Sequence, residues 1–190
     1  MGFWLAGTEI KMMIEKMKQE NHPHLAEARI AALLTDKRKI SGNKIVLGTA
    51  KKVSAEDKVL SDFDFKIILS GEDWAQLTEK EKFALIDHEL SHLDVARVPQ
   101  TETVGGRKKP VKDEFGRTIY TDEIKYDDDG KPKWKLRSHD FENFFHIAER
   151  YGIEIASKVG GYFPPDGEKN QARAAAQAAE PAEADEESSE

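Results

Sequence analysis

The segment His88-Glu89-Leu90-Ser91-His92 constrains the fold of this chain more than any other. Two histidines four residues apart project from one face of an α-helix, about one turn apart, so their imidazoles can converge on one metal ion. Thr78 and Glu81 have the spacing of a capping box, which favours a helix start at Glu79. The sequence therefore predicts a helix over about 79–96 that carries both histidines.

Glu89 lies beside the first histidine of this motif. It is too close in sequence to be a comfortable third ligand, but it can take a proton from a water molecule at the metal. Zinc suits nitrogen ligands, and a catalytic zinc site has three protein ligands and one open position. The pattern predicts Zn²⁺ held by His88 and His92, with Glu89 as the general base. The alternative is a pair of exposed or core-edge histidines without a metal.

The third zinc ligand is expected in a predicted helix over about 140–151. His139, Glu142 and His146 are spaced three and four apart there, which places them on one face. We favour His139, because a residue at the helix entrance can lean toward a neighbouring helix. Glu142 is the first alternative and His146 the second.

Several other polar residues have candidate supporting roles. Carboxylates often orient metal-bound imidazoles, and the acids closest in sequence to the predicted ligands are Asp87, Asp94 and Asp140. Capping or surface positions are the alternative for each of them. A donor to the transition state could come from Tyr126, Tyr151 or Arg137. His22 and His24 flank Pro23 and are interpreted as solvated loop residues.

Hydrophobic periodicity predicts the remaining elements. They are two N-terminal helices (8–19 and 25–34), two neighbouring strands of one sheet (44–53 and 64–69), and a polar stretch (100–137) with a strand pair (117–125 and 133–136) around Asp128-Asp129-Gly130. The helix with the His88 motif should pack on the sheet. In the last predicted helix Phe141, Phe145 and Ala148 form the apolar stripe, and Gly152 ends the helix with a positive φ.

Composition limits the class of protein. The 190 residues include no cysteine, which excludes disulfide scaffolds and cysteine-ligated zinc modules. No apolar run is long enough for a membrane span, and the first residues do not form a signal peptide, so we expect a cytoplasmic protein without membrane contact.

The charge is concentrated at one end of the sequence. Residues 166–190 have a net charge of −6 within a total of −7, which leaves −1 for residues 1–165. Their acids are Asp166, Glu168, Glu180, Glu183, Asp185, Glu186, Glu187 and Glu190. Because no aromatic or large aliphatic residue follows Phe163, this segment cannot bury enough surface to offset its ordering entropy. We predict one folded domain over 1–165 and a disordered acidic tail over 166–190.

Short basic clusters raise DNA contact as a function of a different class. They are Lys37-Arg38-Lys39, Lys51-Lys52 and Arg107-Lys108-Lys109. The nearly neutral domain and the lack of interleaved aromatic residues favour solvated loops instead. If DNA does bind, the acidic tail could compete with it for these clusters.

The ordered set of segments around the motif resembles the putative phage metallopeptidase family. The segments are Lys44 to Gly48, Asp64 to Ile67, Trp74 to His92, His139 to Phe144 and Arg150 to Gly152, so the resemblance spans about residues 40–155. A more distant resemblance is to SprT-like metallopeptidases, in which a later histidine segment opens a helix and supplies the third ligand. By position, that resemblance implies His139.

The family resemblance implies an α+β, zincin-like metallopeptidase domain, with a small sheet and the His88–His92 helix packed on it. It also implies zinc-dependent hydrolysis of a protein or peptide substrate inside a bacterial cell, with a phage or prophage origin. The alternative is a metal-stabilised binding protein without turnover, which would tolerate the loss of Glu89. Such a protein could also associate with DNA.

Overall fold

A computed structural model of the chain describes residues 2–41, 44–139 and 144–160. Within these ranges the helices are α1 Thr8–Asn21, α2 Ala55–Leu60, α3 Gly71–Gln76, α4 Glu79–Ser91, α5 Phe145–Tyr151 and α6 Ile153–Val159. The strands are β1 Phe3–Leu5, β2 Ile30–Thr35, β3 Lys39–Ser41, β4 Lys44–Val46, β5 Gly48–Lys52, β6 Phe65–Ser70, β7 Leu93–Val95, β8 Arg97–Pro99, β9 Thr101–Val104, β10 Arg107–Pro110, β11 Tyr120–Ile124 and β12 Trp134–Leu136. The structure is mixed α+β, which confirms the predicted class.

The main sheet has four strands in the order β1-β2-β6-β5. The central pair β2 and β6 is parallel, and both outer strands run antiparallel to their neighbours. The predicted pairing of the two segments 44–53 and 64–69 is confirmed by β5 and β6. Strand β4 is not part of this sheet and pairs antiparallel with β3. One edge of β5 is consequently not paired with another strand within the described residues.

The prediction of a second helix over 25–34 is wrong. Pro23–Leu25 form one 3₁₀ turn, and Ile30–Thr35 form the central strand β2. A short apolar run is compatible with a buried strand as well as with a helix. Here the pairing of β2 with both β1 and β6 decides the outcome.

Helix α4 begins as predicted. Thr78 and Glu81 form both hydrogen bonds of the capping box. The helix ends at Ser91, however, and not near residue 96, because Leu93–Val95 pair with β12 instead. Helix α4 packs against α1, α5, α6 and β5, and its residues 84–91 are all buried, so it occupies the centre of the described fold.

The polar stretch over 100–137 is richer in strands than predicted. Strands β9 and β10 form one hairpin, while β11 pairs with β8 and β12 with β7. The two predicted strands therefore exist but pair mainly with other partners. Between them lie the bridge of Tyr126 with Pro132 and a hydrogen bond from the Lys133 N–H to the Lys125 carbonyl at 2.8 Å. The predicted turn is confirmed by the positive φ of Gly130, 73°.

The last predicted helix is confirmed over Phe145–Tyr151, and a further helix that was not predicted follows it. Helix α5 begins at Phe145, and Gly152 ends it with φ 92°, as predicted, before α6 starts. The predicted apolar stripe is wrong at Phe145, which is 67% exposed, whereas Phe144 is fully buried. Phe141 lies outside the described residues.

The described part of the chain has no helix that is long and apolar enough to cross a membrane. The predicted domain boundary at residue 165 and the acidic segment 166–190 lie outside the described residues, so both stay predictions.

We expect Glu81→Ala to lower the free energy of unfolding by about 1–2 kcal/mol at pH 7, because it removes half of the capping box and an ion pair with Lys158 at 2.6 Å. Burial of Glu81 opposes its ionisation, but hydrogen bonds from Lys158 and Thr78 outweigh it and lower the pKa below its ordinary 4.5. This stabilisation is therefore complete above pH 4.5 and is lost as the pH falls through the folded-state pKa.

Urea unfolding of both proteins between pH 3 and pH 7 measures this difference. The matched control is Glu79→Ala in the same turn, since Glu79 is exposed and contacts Lys82 only at 3.5 Å. A pH-independent difference, or an equal loss in the control, contradicts the prediction.

Candidate metal centre

His88 and His92 lie at the C-terminal end of α4. His88 is in the last turn and is 3% exposed. His92 is the C-cap residue, but it keeps helical angles of φ −74° and ψ −18°. The two histidines therefore lie on the same face as predicted, although the helix is shorter. Their ring centroids lie 5.1 Å apart.

His139 joins these two histidines through strand pairing. Strand β7 follows directly after α4. Its antiparallel partner β12 returns the chain to the end of α4, with Leu136 opposite Leu93. The Arg137 N–H then donates to the His92 carbonyl at 2.7 Å. Two residues later the Nε2 atom of His139 lies 3.1 Å from that of His88.

The three histidines form one cluster that could hold a metal ion. One ring nitrogen from each of His88, His92 and His139 lies within 4.8 Å of the others. His92 Nδ1 is bonded to the Arg137 carbonyl at 2.9 Å, so this nitrogen is the donor and Nε2 keeps its lone pair. Burial also lowers the pKa of His92, which favours the neutral, ligating form.

The other predicted ligands are not in this cluster. His139 was expected on one helix face with Glu142 and His146, but it precedes α5, and Glu142 lies outside the described residues. His146 Nε2 contacts Ser91 Oγ at 2.7 Å. Because Ser91 Oγ donates its proton to the Asp87 carbonyl, His146 Nε2 must be the donor in this contact.

The Phe144 ring supports all three histidines. Its centroid lies 5.4, 4.9 and 5.1 Å from the ring centroids of His88, His92 and His139. Phe144 is fully buried. A close-packed aromatic ring restricts the orientation of each imidazole. Helical periodicity over 140–151 did not identify this residue, because Phe144 precedes the helix.

Glu89 is buried beside the cluster. The Ala50 N–H donates to its carboxylate, while Oε2 has no hydrogen-bond partner in the part of the chain that is described. Burial raises the pKa of Glu89 to about 8, although the Ala50 N–H and the charge of Lys39 oppose this. A buried, unpaired carboxylate oxygen is costly to a protein unless it has a partner or a function.

Gly48 provides the space for this carboxylate. A Cβ atom at Gly48 would lie 2.5 Å from Glu89 Oε1 and 2.9 Å from Glu89 Cδ. Only glycine allows β5 to pass this close to α4 at that point. The absence of a side chain at Gly48 therefore leaves room for the Glu89 carboxylate at this position.

Asp87 anchors α4 on the side away from Glu89. It is fully buried and accepts hydrogen bonds from His22 at 2.6 Å and Arg150 at 2.7 Å. Burial opposes its ionisation, but these two partners outweigh it and lower the pKa of Asp87. The interpretation of His22 as a solvated loop residue is therefore wrong, because His22 is 4% exposed. No spacing in the sequence links residue 22 to residue 87, so this contact could not be predicted.

Among the described residues, one of the remaining candidates for a supporting role lies beside the histidines. Asp94 pairs with Lys135 at 3.1 Å on the surface, and Asp140 lies outside the described residues. Tyr126 is exposed, and Tyr151 contacts the Met17 sulfur instead of the cluster. Of the three predicted donors, only Arg137 lines the cleft that opens onto the histidines.

This cleft, of about 350 Å³, lies between β5 and the histidine cluster. Its walls come from the β3–β4 hairpin, β5, the end of β12 and the end of α6. Besides the three histidines and Glu89, its lining includes Lys39, Lys44, Gly48, Thr49, Arg137 and Gly160. The cleft joins the three imidazoles and Glu89 to the unpaired edge of β5.

Comparison with protein-family models matches residues 3–162 to the family described as putative phage metallopeptidase. The match covers most of the sequence, and the chain belongs to this family. Neither the curated proteins nor the solved structures give a match. The resemblance to SprT-like proteins stays a prediction.

We expect Asp87→Asn to lower the free energy of unfolding by about 2–4 kcal/mol, because it leaves His22 and Arg150 without their buried anionic partner. Urea unfolding measures this loss. The control Asp94→Asn should cost less than about 1 kcal/mol, since its ion pair is exposed. Equal losses in the two variants are incompatible with an anchoring role for Asp87.

Proposed function

We propose that the chain is a zinc-dependent peptidase with a zincin-like architecture. His88, His92 and His139 would hold the metal, and Glu89 would be the general base. One observation carries this proposal: a buried carboxylate with an unpartnered Oε2 lies beside three converging imidazoles. A purely structural metal site would not need such a group.

The donor set fits zinc. Two nitrogen ligands of a tetrahedral zinc lie about 3.3 Å apart when each bond is about 2.0–2.1 Å. The Nε2 atoms of His88 and His139 are 3.1 Å apart, close to that spacing. Three imidazoles with an open cleft on one side would correspond to a catalytic site, whereas a structural site would have four protein ligands.

When bound, zinc would act as a Lewis acid that acidifies water and polarises a peptide carbonyl. The positive charge of bound zinc would favour the ionised form of Glu89, whose Oε2 would accept the proton of the attacking water and then deliver it to the leaving amine nitrogen. Arg137 lines the cleft, where its positive charge would stabilise negative charge developing on the carbonyl oxygen. Phe144 would keep the imidazoles in place.

The edge of β5 would align the substrate. Gly48 and Thr49 line the cleft, and β5 has a strand partner only on its β6 side among the described residues. An extended peptide can add to such an edge through main-chain hydrogen bonds. This placement would bring a peptide bond to Glu89 and the three histidines.

The family description supports action inside a bacterial host, so we place the activity in the cytoplasm as part of this proposal.

The test combines metal content with hydrolysis. Protein purified without a histidine tag and reconstituted with zinc is expected to hold one zinc per chain and to cleave an unfolded protein substrate. We expect Glu89→Gln to keep the zinc but to lose about 10²- to 10⁴-fold in hydrolysis. His139→Ala should lose both, and the control His146→Ala should keep both.

Full hydrolysis in Glu89→Gln contradicts the general-base role. Stoichiometric zinc without hydrolysis of any peptide in the wild type would favour the metal-stabilised binding protein instead. Zinc retained in His139→Ala but lost in Glu142→Ala or His146→Ala would reassign the third ligand.

Gly48→Ala is expected to displace the Glu89 carboxylate without touching the histidines. We expect zinc content to be unchanged and hydrolysis to fall by about 10²-fold or more, because the added Cβ overlaps Glu89. Gly7→Ala is the matched control, since a Cβ there meets nothing within 4 Å. Unchanged hydrolysis in Gly48→Ala would show that the position of Glu89 is not critical.

A further inference from the structure

Apart from Glu89, the charged residues that are described in the lining of the cleft beside the histidines are positive. Lys39, Lys44 and Arg137 contribute positive charge, and Glu89 is the only acid among the described residues of its lining. The whole sequence, in contrast, has 36 acidic residues against 29 Lys and Arg. Apart from Glu89, acids are therefore absent from the described lining of this cleft, although they are in excess in the sequence.

The positive lining continues along β5. A second cavity of about 200 Å³ shares Lys39, Gly48 and Thr49 with the first and adds Lys37, Arg38 and Lys51, with no acid in its described lining. Arg38 is compensated, because Asp73 accepts from it at 2.7 Å. Lys39 and Lys51 form no ion pair with any described residue, and Lys39 Nζ instead donates to Thr49 Oγ1 at 3.2 Å.

A peptide fits this surface better than a nucleic acid. Single-stranded nucleic acids bind by stacking bases on successive aromatic side chains. Apart from the three histidines of the metal cluster, Phe3 is the one aromatic residue in the described lining of the two cavities. The edge of β5, by contrast, offers main-chain groups to an extended peptide. The expected ligand is thus an extended peptide with several carboxylates.

The acidic segment of the sequence follows a helix whose end lines this cleft. Val159 and Gly160, at the end of α6, line the cleft themselves. Residues 161–190 follow directly and have a net charge of −6, and their first acid is Asp166. Six residues span up to about 20 Å of extended chain, so Asp166 is within reach of the cleft. The family match ends at residue 162, so the acidic segment is not part of the matched region.

We propose that the cleft selects peptide segments rich in Asp and Glu, and that residues 166–190 of this chain compete for it in cis. The selection of substrates rests on the proposed peptidase function. The binding itself requires neither zinc nor hydrolysis. A segment tethered at the rim of its own site has a high effective concentration, so it excludes weakly held competitors.

The test measures binding of a labelled peptide with the sequence of residues 178–190, which contains six acids and no Lys or Arg. Fluorescence anisotropy compares the wild-type chain with a full-length variant in which the eight acids of residues 166–190 are changed to their amides. We expect the variant to bind the peptide at least tenfold more tightly than the wild type. Mass spectrometry establishes that the peptide is intact during the titration.

Two comparisons assign this binding to the cleft. In the amide-tail chain, Lys39→Gln with Lys51→Gln should weaken binding about fivefold to twentyfold, whereas Lys108→Gln with Lys109→Gln, on the β9–β10 hairpin, should leave it unchanged. The affinity should also fall as salt is raised from 50 to 300 mM. A peptide with amides in place of its six acids should bind at least tenfold more weakly than the acidic peptide.

The proposal is overturned if the acidic and amide peptides bind equally, or if the wild type binds the acidic peptide as tightly as the amide-tail chain does. A single-stranded oligonucleotide of equal charge that binds more tightly and displaces the peptide would identify a nucleic-acid site instead. These outcomes are independent of the proposed function. Hydrolysis without a preference for acidic peptides would contradict only the proposed selectivity of the cleft. Charge-selective binding without zinc or hydrolysis would contradict only the proposed peptidase function.

Discussion

The pairing of β7 with β12 is the interaction on which the rest of the site depends. The chain turns from α4 into β7 immediately after His92, and β12 lies against β7 with Leu136 opposite Leu93. Backbone hydrogen bonds therefore hold the segment after β12 beside the end of the helix, and His139 follows at once. Without this two-strand ladder the third histidine would have no fixed distance from the other two. The strands that lie between β7 and β12 in the sequence pair among themselves, β9 with β10 and β8 with β11.

Asp87 and Glu89, two acids close together on α4, lie in different chemical environments. Asp87 has two strong cationic or polar partners, His22 and Arg150, and stays ionised. Glu89, two residues later, has a backbone N–H partner and one unpartnered oxygen, and its burial raises its pKa to about 8. The difference follows from their positions on the helix, since one faces α1 and α5 while the other faces β5. One acid therefore stabilises the helix that places the histidines, and the other remains available for proton transfer.

Local features were predictable from the sequence, and tertiary contacts were not. The start of α4 and the convergence of His88 with His92 follow from a capping box and a four-residue spacing, both of which are local. The β2 strand was predicted as a helix because its short apolar run has no unambiguous period. His22, Phe144 and Gly48 were missed as parts of the site because their roles depend on residues 40 to 65 positions away. His139 was selected by its position and by resemblance, and the structure shows that strand pairing, not a shared helix face, brings it to the cluster.

The most direct test of this account is the position of zinc in a crystal of the full-length protein reconstituted with the metal, located by anomalous scattering at the zinc absorption edge. The account predicts one peak per chain, bonded to the Nε2 atoms of His88, His92 and His139 at about 2.0–2.1 Å, with Glu89 nearby but not a ligand. A peak bonded to His146, to Glu89 as a third ligand, or to an exposed acidic cluster would contradict it, as would the absence of any peak from protein that is saturated with zinc.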